Sequence, residues 1–269
     1  MNGRTLILNA YVYAVLVFIL VPILIILPMA FSETEYLVFP PQGFTFDWFG
    51  RFFSDRLWMQ ALQFSFQIAV ATAIASTVIG TMASYALVRG AGALGSLFQA
   101  LLIGPIVVPH VALAVALYLF FERVGLSGTL AGYIIAHTVL ALPFVVFTVS
   151  AALLSVDPAL EDAAMSCGAT RFQAFRLVTL PLILPNVVSA ALFGFIISFD
   201  EPVVTFFLAG IRDKTLPRMM FDDIEQNLTP IIPAIAVLLT GISVLILIGA
   251  AALRKAAENR TMPRFDEMK

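Results

Sequence analysis

The stretch TLILNAYVYAVLVFILVPILIILPMAFS, residues 5–32, contains no charged side chain and decides the kind of fold. A helix needs roughly 20 apolar residues to cross a hydrocarbon core of about 30 Å, so this stretch is long enough to span a bilayer. Arg4 is the one charged residue before it, and the apolar run is too long for the core of a signal peptide. We therefore expect an uncleaved membrane span.

Five further uncharged runs of comparable length follow along the chain, and the composition agrees with them, since 61% of residues are hydrophobic and 12% charged. Each run can cross a membrane with some tilt. The prediction is an all-α integral membrane protein with six transmembrane helices, forming a single transmembrane domain over residues 1–269. The predicted spans cover residues 7–31, 60–88, 97–120, 129–155, 186–209 and 230–253.

Several classes of protein are excluded by the counts of charged and reactive residues. The formal net charge is −2 with few lysines, so no strongly basic face is available for nucleic acid. The single cysteine, Cys167, is expected to be a small buried contact, and two histidines, His110 and His137, cannot by themselves form a metal site. No phosphate-binding loop GxxxxGK[ST] occurs, and the GxGxxG at residues 90–95 joins two spans without a preceding strand. We expect neither metal nor nucleotide to bind to this chain.

The distribution of basic residues predicts the orientation in the membrane. With six spans both termini lie on one side, and placing them in the cytoplasm divides the 15 Lys and Arg residues nine inside to six outside. The positive-inside rule favours this arrangement. The outer loop at residues 33–56 carries Trp48, Phe49, Phe52 and Phe53 and indicates a segment on the membrane surface.

Small residues at four-residue spacing occur in the second and fifth spans and predict close helix packing. The first row is Ser76, Gly80 and Ser84, and the second is Ala190, Gly194 and Ser198.

The loop between the fourth and fifth spans carries signals for two short helices. Asp157 followed by Pro158 is a helix start, and the first helix is predicted from Pro158 to about Ser166. Gly168 can adopt the left-handed conformation that ends a helix. Thr170 with Gln173 three residues later is a capping box that starts the second helix, which is expected to leave the loop at Pro181 and Pro185. The loop should therefore be folded on the cytoplasmic side.

The same loop resembles the EAA loop of ABC importer permeases, whose pattern is E-A-A, three residues, G, nine residues, I-x-L-P. In register with the glycine, this sequence has Asp162 at the Glu position and Val178 at the Ile position, and both substitutions keep the chemical type. The resemblance implies that residues 157–176, the coupling loop, dock into a groove on a cytoplasmic ATPase. The residues implied to couple to the ATPase are Glu161, Asp162, Ala163, Ala164, Gly168, Thr170 and Arg171.

Six spans with this loop before the fifth resemble the MetI-like permeases of type I importers, which implies a set of partners. They are two copies of an ABC ATPase, which would bind the ATP and Mg, an extracytoplasmic substrate-binding protein, and a second permease, for which a sister chain is favoured over a copy of this chain. The chain itself is then not an enzyme. The implied location is the bacterial inner membrane.

A second resemblance, to spermidine/putrescine permeases of the PotC type, rests on the end of the fifth span, SFDEP at residues 198–202. Asp200 comes about fourteen residues after the span begins, roughly 21 Å along a helix. Acidic side chains in that position attract a cation if they face a cavity. The candidate substrate pathway therefore contains Asp200, favoured over Glu201, together with Phe199 and His110. Alternatively, the acidic pair caps the span or pairs with Arg212 or Arg218.

Three other functions remain open from the sequence. Related permeases carry 4-aminobutyrate, opines, ferric iron or thiamine, and two carboxylates do not choose among cations. A secondary transporter is another alternative, although an internal repeat typical of that class is not found here. A membrane enzyme would need titratable residues that converge within the spans, and the candidates are Asp200, Glu201 and the two histidines.

Overall fold

The computed structural model describes residues 3–90, 95–208 and 214–245, and within these ranges the regular elements are helices. The chain divides into two compact units, residues 1–56 with 222–269, and residues 57–221. The predicted end of the last span, residues 246–253, lies outside the described residues, as do Arg212 and the basic tail.

The first unit begins with α1, Gly3–Met29, whose side chains are exposed from Ile7 to Leu27. Beyond it, α2 (Asp47–Ser54) lies in the aromatic outer loop, where the Trp48 indole donates to the Ser32 carbonyl at 2.7 Å. The segment after α11 (Leu216–Gln226) is held by Asp223, which accepts a 2.8 Å hydrogen bond from Thr229. The apolar helix α12, Ile231–Leu245, follows.

The second unit is built around α6, Leu130–Leu154, which is the most buried of its long helices. It packs against α9, Leu180–Phe199, and both lie beside α3, Arg56–Gly90. One apolar core joins α6 and α9 through Val145, Val149 and Ile183. A second core is formed where α5 (His110–Val124) and α10 (Val203–Leu208) meet α6.

The two rows of small residues face the interior, as predicted. Their members are buried, and a Cβ atom on Gly80 would lie 2.5 Å from Cγ1 of Val145. The rows thus allow α3, α6 and α9 to approach closely.

Within the described residues, four helical segments are long and apolar enough to cross a membrane: Ile7–Met29, Arg56–Gly90, Leu130–Leu154 and Arg171–Phe199. The pair α4 (Gly95–Val107) and α5 becomes a fifth if its two helices form one span. Of the six predicted spans, the described residues therefore contain four, or five if α4 and α5 form one span. The helix α12 is shorter than a full span as far as it is described.

Two predicted spans differ from the structure at identifiable prolines. The span predicted over residues 97–120 is divided into α4 and α5, which are bent by 107° relative to each other. Pro109, at the start of α5, has no N–H to continue the helix. The span predicted over residues 186–209 begins earlier and ends at Phe199, because Pro202 disfavours helical backbone at the residue before it.

Candidate functional site

The first helix of the coupling loop is α7, Ala159–Ser166, one residue shorter at its start than predicted. The Asp157 carboxylate accepts a 2.9 Å hydrogen bond from the Ala159 N–H, as expected for a residue that starts a helix. After α7 the chain reverses at Gly168, whose φ is +93°. The surroundings of Gly168 are open, so its role lies in the backbone conformation rather than in close packing.

The predicted capping box is confirmed. The Gln173 N–H donates to the Thr170 hydroxyl at 3.3 Å, and the Thr170 N–H donates to the Gln173 side-chain oxygen at 2.8 Å. The box starts α8, Arg171–Ala174, which continues through a π-helical turn, Phe175–Thr179, into α9. The second short helix therefore runs without interruption into α9, and Pro181 fits there because proline is tolerated in the first turn of a helix.

The coupling loop presents most of its predicted contact residues to the outside. The exposed residues are Asp162, Ala163, Gly168, Thr170 and Arg171, whereas Ala164 is half-buried. Cys167 is also exposed, so the expectation of a buried cysteine is wrong. Cys167 caps the end of α7, directly before the turn at Gly168.

Glu161, next to Asp162, points the other way and is buried. Its carboxylate accepts hydrogen bonds from the Thr179 hydroxyl at 2.6 Å and the Tyr85 hydroxyl at 2.7 Å. The Arg89 guanidinium approaches it at 3.3 Å. Burial acts to raise the pKa of Glu161, but the bonds from Thr179 and Tyr85 and the charge of Arg89 outweigh it and hold that pKa below its ordinary value.

The two acidic residues that follow α9, Asp200 and Glu201, also differ in their exposure. Asp200 follows the helix as an exposed residue, whereas Glu201 is buried. One oxygen of Glu201 accepts the N–H groups of Val203 at 2.7 Å and Val204 at 2.9 Å, so this side chain caps α10. Its other oxygen lies 3.3 Å from Nε2 of His110.

Two predicted pathway residues, Glu201 and His110, are thus brought together, and half of the His110 side chain stays exposed. Phe199 instead stacks on Phe195 within α9, with ring centroids 5.6 Å apart. Of the two arginines considered as partners for the acidic pair, Arg218 lies over the Phe206 ring at 3.6 Å. Arg212 is outside the described residues.

His137, for which no role was predicted, links α6 to α9. Its Nδ1 lies 2.8 Å from the Ser198 hydroxyl and 3.1 Å from the Ser198 carbonyl, in a fully buried position. Among the described residues no group of three or more His, Cys, Asp and Glu side chains is arranged to hold a metal ion.

Several apolar helices are long enough to cross a membrane, which defines a multi-pass membrane protein, and a folded loop of two short helices precedes one of them. The chain belongs to the family described as binding-protein-dependent transport system inner membrane component, which matches residues 76–262. That family consists of transport subunits rather than enzymes.

Curated relatives and solved structures agree with the family. The spermidine/putrescine transport system permease protein PotC of Haemophilus influenzae is 29% identical over 246 residues, which is 91% of this chain and 95% of PotC. The putrescine transport system permease protein PotI of Escherichia coli K12 is 31% identical over 232 residues, covering 83% of this chain and 82% of PotI. The fold matches a chain of a bacterial alginate ABC transporter, solved with an alginate pentasaccharide-bound periplasmic protein. The TM-score is 0.71 at 17% identity, over 92% of this chain and 93% of that one.

The residues that sequence reasoning missed are Arg89, Tyr85 and Thr179. They lie 72, 76 and 18 residues from Glu161 along the chain. The one available signal was Arg89, a charged residue at the end of an otherwise uncharged run. Such a position is ordinary for a membrane helix and does not by itself indicate a partner.

Proposed function

We propose that this chain is a permease subunit of a bacterial type I ABC importer that carries a small polycation such as putrescine or spermidine across the inner membrane. The observation that carries the proposal is the match to two polyamine permeases over more than four fifths of this chain. An exposed carboxylate at Asp200, beside the Glu201–His110 pair, supports a cationic substrate.

The coupling loop supports the proposed contact with a cytoplasmic ATPase. Its exposed face carries the acidic Asp162, small Ala163 and the turn at Gly168. Small side chains let a helix seat deeply in a groove, and a carboxylate can accept a charge-assisted hydrogen bond there. In this proposal ATP and Mg are bound by two ATPase copies, whose closure moves the coupling loop and opens the substrate pathway to the outside.

The rest of the assembly follows from the same proposal. One chain supplies half of a pathway, so a second permease is required, and we favour a sister chain over a second copy. A periplasmic binding protein delivers the substrate, as the alginate transporter solved with its periplasmic protein supports. We also propose that this chain crosses the membrane six times, with both termini in the cytoplasm, and that it has no nucleic acid partner.

Reconstitution tests this function. The permease, its sister chain, the ATPase and the binding protein encoded beside it would be placed in proteoliposomes, and uptake of radiolabelled putrescine measured with and without ATP. We expect uptake that needs ATP and the binding protein. Uptake by this chain without ATPase or ATP would instead indicate a secondary transporter.

Substrate class is tested by competition and by one substitution. Spermidine should compete with putrescine, whereas 4-aminobutyrate, an opine, ferric iron and thiamine should not. Asp200→Asn should reduce putrescine uptake while leaving the complex assembled. Asp47→Asn, at an exposed aspartate of α2, is the matched control and should transport normally. Normal uptake by Asp200→Asn would remove this carboxylate from the pathway.

A further inference from the structure

The Arg89 guanidinium joins the cytoplasmic loop region to two long helices at once. Arg89 lies in the last turn of α3, and its Nη2 donates to the carbonyl oxygens of Val156 at 2.7 Å and Leu153 at 3.2 Å. Leu153 lies in the last turn of α6, at the negative end of the helix dipole, and its carbonyl also accepts the Val156 N–H at 3.2 Å. Val156 lies two residues beyond the end of that helix. The same guanidinium donates through Nε to Glu161 of α7 at 3.3 Å.

The Glu161 carboxylate is occupied on both oxygens by residues from two other elements. Tyr85, one turn before Arg89 on α3, donates to Oε2, and Thr179 of the π-helical turn donates to Oε1. The side chains of Arg89 and Glu161 are only 14% and 8% exposed. This carboxylate is therefore not available to a partner protein that docks on the outer face of the loop.

The π-helical turn also contacts this group of side chains, through Thr179 and Phe175. Thr179 is fully buried, and the Phe175 ring packs on the Tyr85 ring with centroids 4.7 Å apart. A π-helical turn shifts the register of a helix and frequently occurs at functional sites. Here the π-helical turn directly precedes α9, and its last residue, Thr179, donates a hydrogen bond to Glu161 of α7.

We propose that Tyr85, Arg89, Glu161 and Thr179 form an internal clamp that makes α7 move as one body with the ends of α3, α6 and α9, and that Arg89 is its positioning residue. The inference rests on the proposed importer function and assigns different roles to two sides of the coupling loop. Asp162 and the exposed face bind the ATPase, and Glu161 on the opposite face passes the motion to the spans. A buried, hydrogen-bonded ion pair suits this role because separating it leaves an uncompensated charge.

The test separates docking from transmission in the assembled, reconstituted transporter. The clamp variants are Arg89→Lys and Glu161→Gln, which keep size and polarity, with Tyr85→Phe as a milder third. Asp162→Asn tests the exposed face, and Arg123→Lys, at an exposed arginine of α5, is the matched control for Arg89→Lys. ATPase co-purification, ATP hydrolysis and putrescine uptake are measured for each.

We expect the clamp variants to co-purify with the ATPase and to hydrolyse ATP, while putrescine uptake per ATP hydrolysed falls about tenfold, within the range usual for coupling between sites. Asp162→Asn should instead weaken co-purification, and Arg123→Lys should behave as wild type. Wild-type uptake per ATP in both Arg89→Lys and Glu161→Gln would overturn the inference. Loss of ATPase binding in them, equal to that of Asp162→Asn, would also overturn it. Failure of the wild-type complex to bind any ATPase would instead reject the proposed function.

A distance measurement in the same complex reports on the clamp without transport. Cys167 is exposed and is the chain's single cysteine, so a spin label there pairs with one at Met82→Cys, an exposed position on α3. The wild type should give one narrow distance distribution, and Arg89→Lys a broadened one. An unchanged distribution in Arg89→Lys would show that the clamp does not fix α7 on α3.

Discussion

A Cβ atom on Gly194 would lie 2.8 Å from the hydroxyl oxygen of Ser76, so α9 crosses α3 where there is no room for a methyl group. The neighbouring contact, between Gly80 and Val145, is tighter and involves a stiff β-branched side chain. In lipid, helices associate through such close packing because no hydrophobic force drives them together. The glycines of both rows are therefore expected to control the stability of the helix core.

Gly80→Ala should destabilise the protein by about 1–3 kcal/mol, the usual effect of overpacking a core. The reason is that the new methyl group would meet Val145 Cγ1 at 2.5 Å and its Cβ at 3.0 Å. Thermal unfolding in detergent, followed by tryptophan fluorescence, measures the change. The control is Gly104→Ala in α4, where the space is open, and alanine should raise stability by up to about 1 kcal/mol. A similar shift in both variants would contradict the packing argument.

Gly168→Ala should weaken ATPase binding through the backbone alone. A residue with a Cβ atom costs about 1–2 kcal/mol in the left-handed conformation, and Gly168 has φ of +93° with no atom within 4 Å of a built Cβ. Because that energy corresponds to a factor of roughly 5–30 in an equilibrium, we expect a loss of ATPase affinity of that order.

Gly168→Asn provides the matched comparison, since asparagine tolerates the left-handed region better than alanine. Its ATPase affinity should lie between those of the wild type and Gly168→Ala. Equal affinities in an ATPase titration of all three proteins would mean that the turn conformation does not matter for docking.

Features that depend on neighbours in the chain could be predicted from the sequence. The capping box of Thr170 and Gln173 and the left-handed Gly168 are local, because a few residues fix each geometry. The clamp could not be predicted, since Arg89 and Glu161 are 72 residues apart and meet only after α3 and α6 have packed. Helical periodicity separates the adjacent acids Glu161 and Asp162 by about 100° around α7, but it does not tell which of the two is buried.

The acidic pair shows a second limit. Sequence reasoning favoured Asp200 as the deeper residue, on the assumption that one helix continues to residue 209. The helix ends at Phe199, and Glu201 is buried because it caps the next helix. Pro202 carried the signal for this break, since the residue before a proline rarely stays helical.

Glu201→Gln should preserve α10, whereas Glu201→Ala should not. A glutamine oxygen still accepts the N–H groups of Val203 and Val204, and alanine loses a cap of about 1 kcal/mol. Hydrogen exchange at residues 203–208 should accelerate roughly fivefold in Glu201→Ala and stay near wild type in Glu201→Gln. Glu122→Ala, at an exposed acid of α5, is the control. Unchanged exchange in Glu201→Ala would show that the cap is not needed.

The clamp should give the transporter a stability contribution that is lost in acid. Since the pKa of Glu161 is lowered in the folded protein, the charged form is stabilised by folding. The contribution is then fully present above the unfolded-state glutamate pKa of about 4.3, decreases as the pH falls below it, and vanishes below the folded-state pKa. The difference in unfolding free energy between wild type and Glu161→Gln, about 2 kcal/mol for charged hydrogen bonds, should follow this course.

The measurement is the unfolding temperature of wild type and Glu161→Gln in detergent from neutral pH to the acid limit of the native state. The gap between the two proteins should be constant near neutrality and narrow only in the acid range. Asp162→Asn serves as the control, because this exposed carboxylate should produce little difference at any pH. A gap that narrows well above the ordinary glutamate pKa would mean that the hydrogen bonds of Thr179, Tyr85 and Arg89 do not hold Glu161 in its charged form.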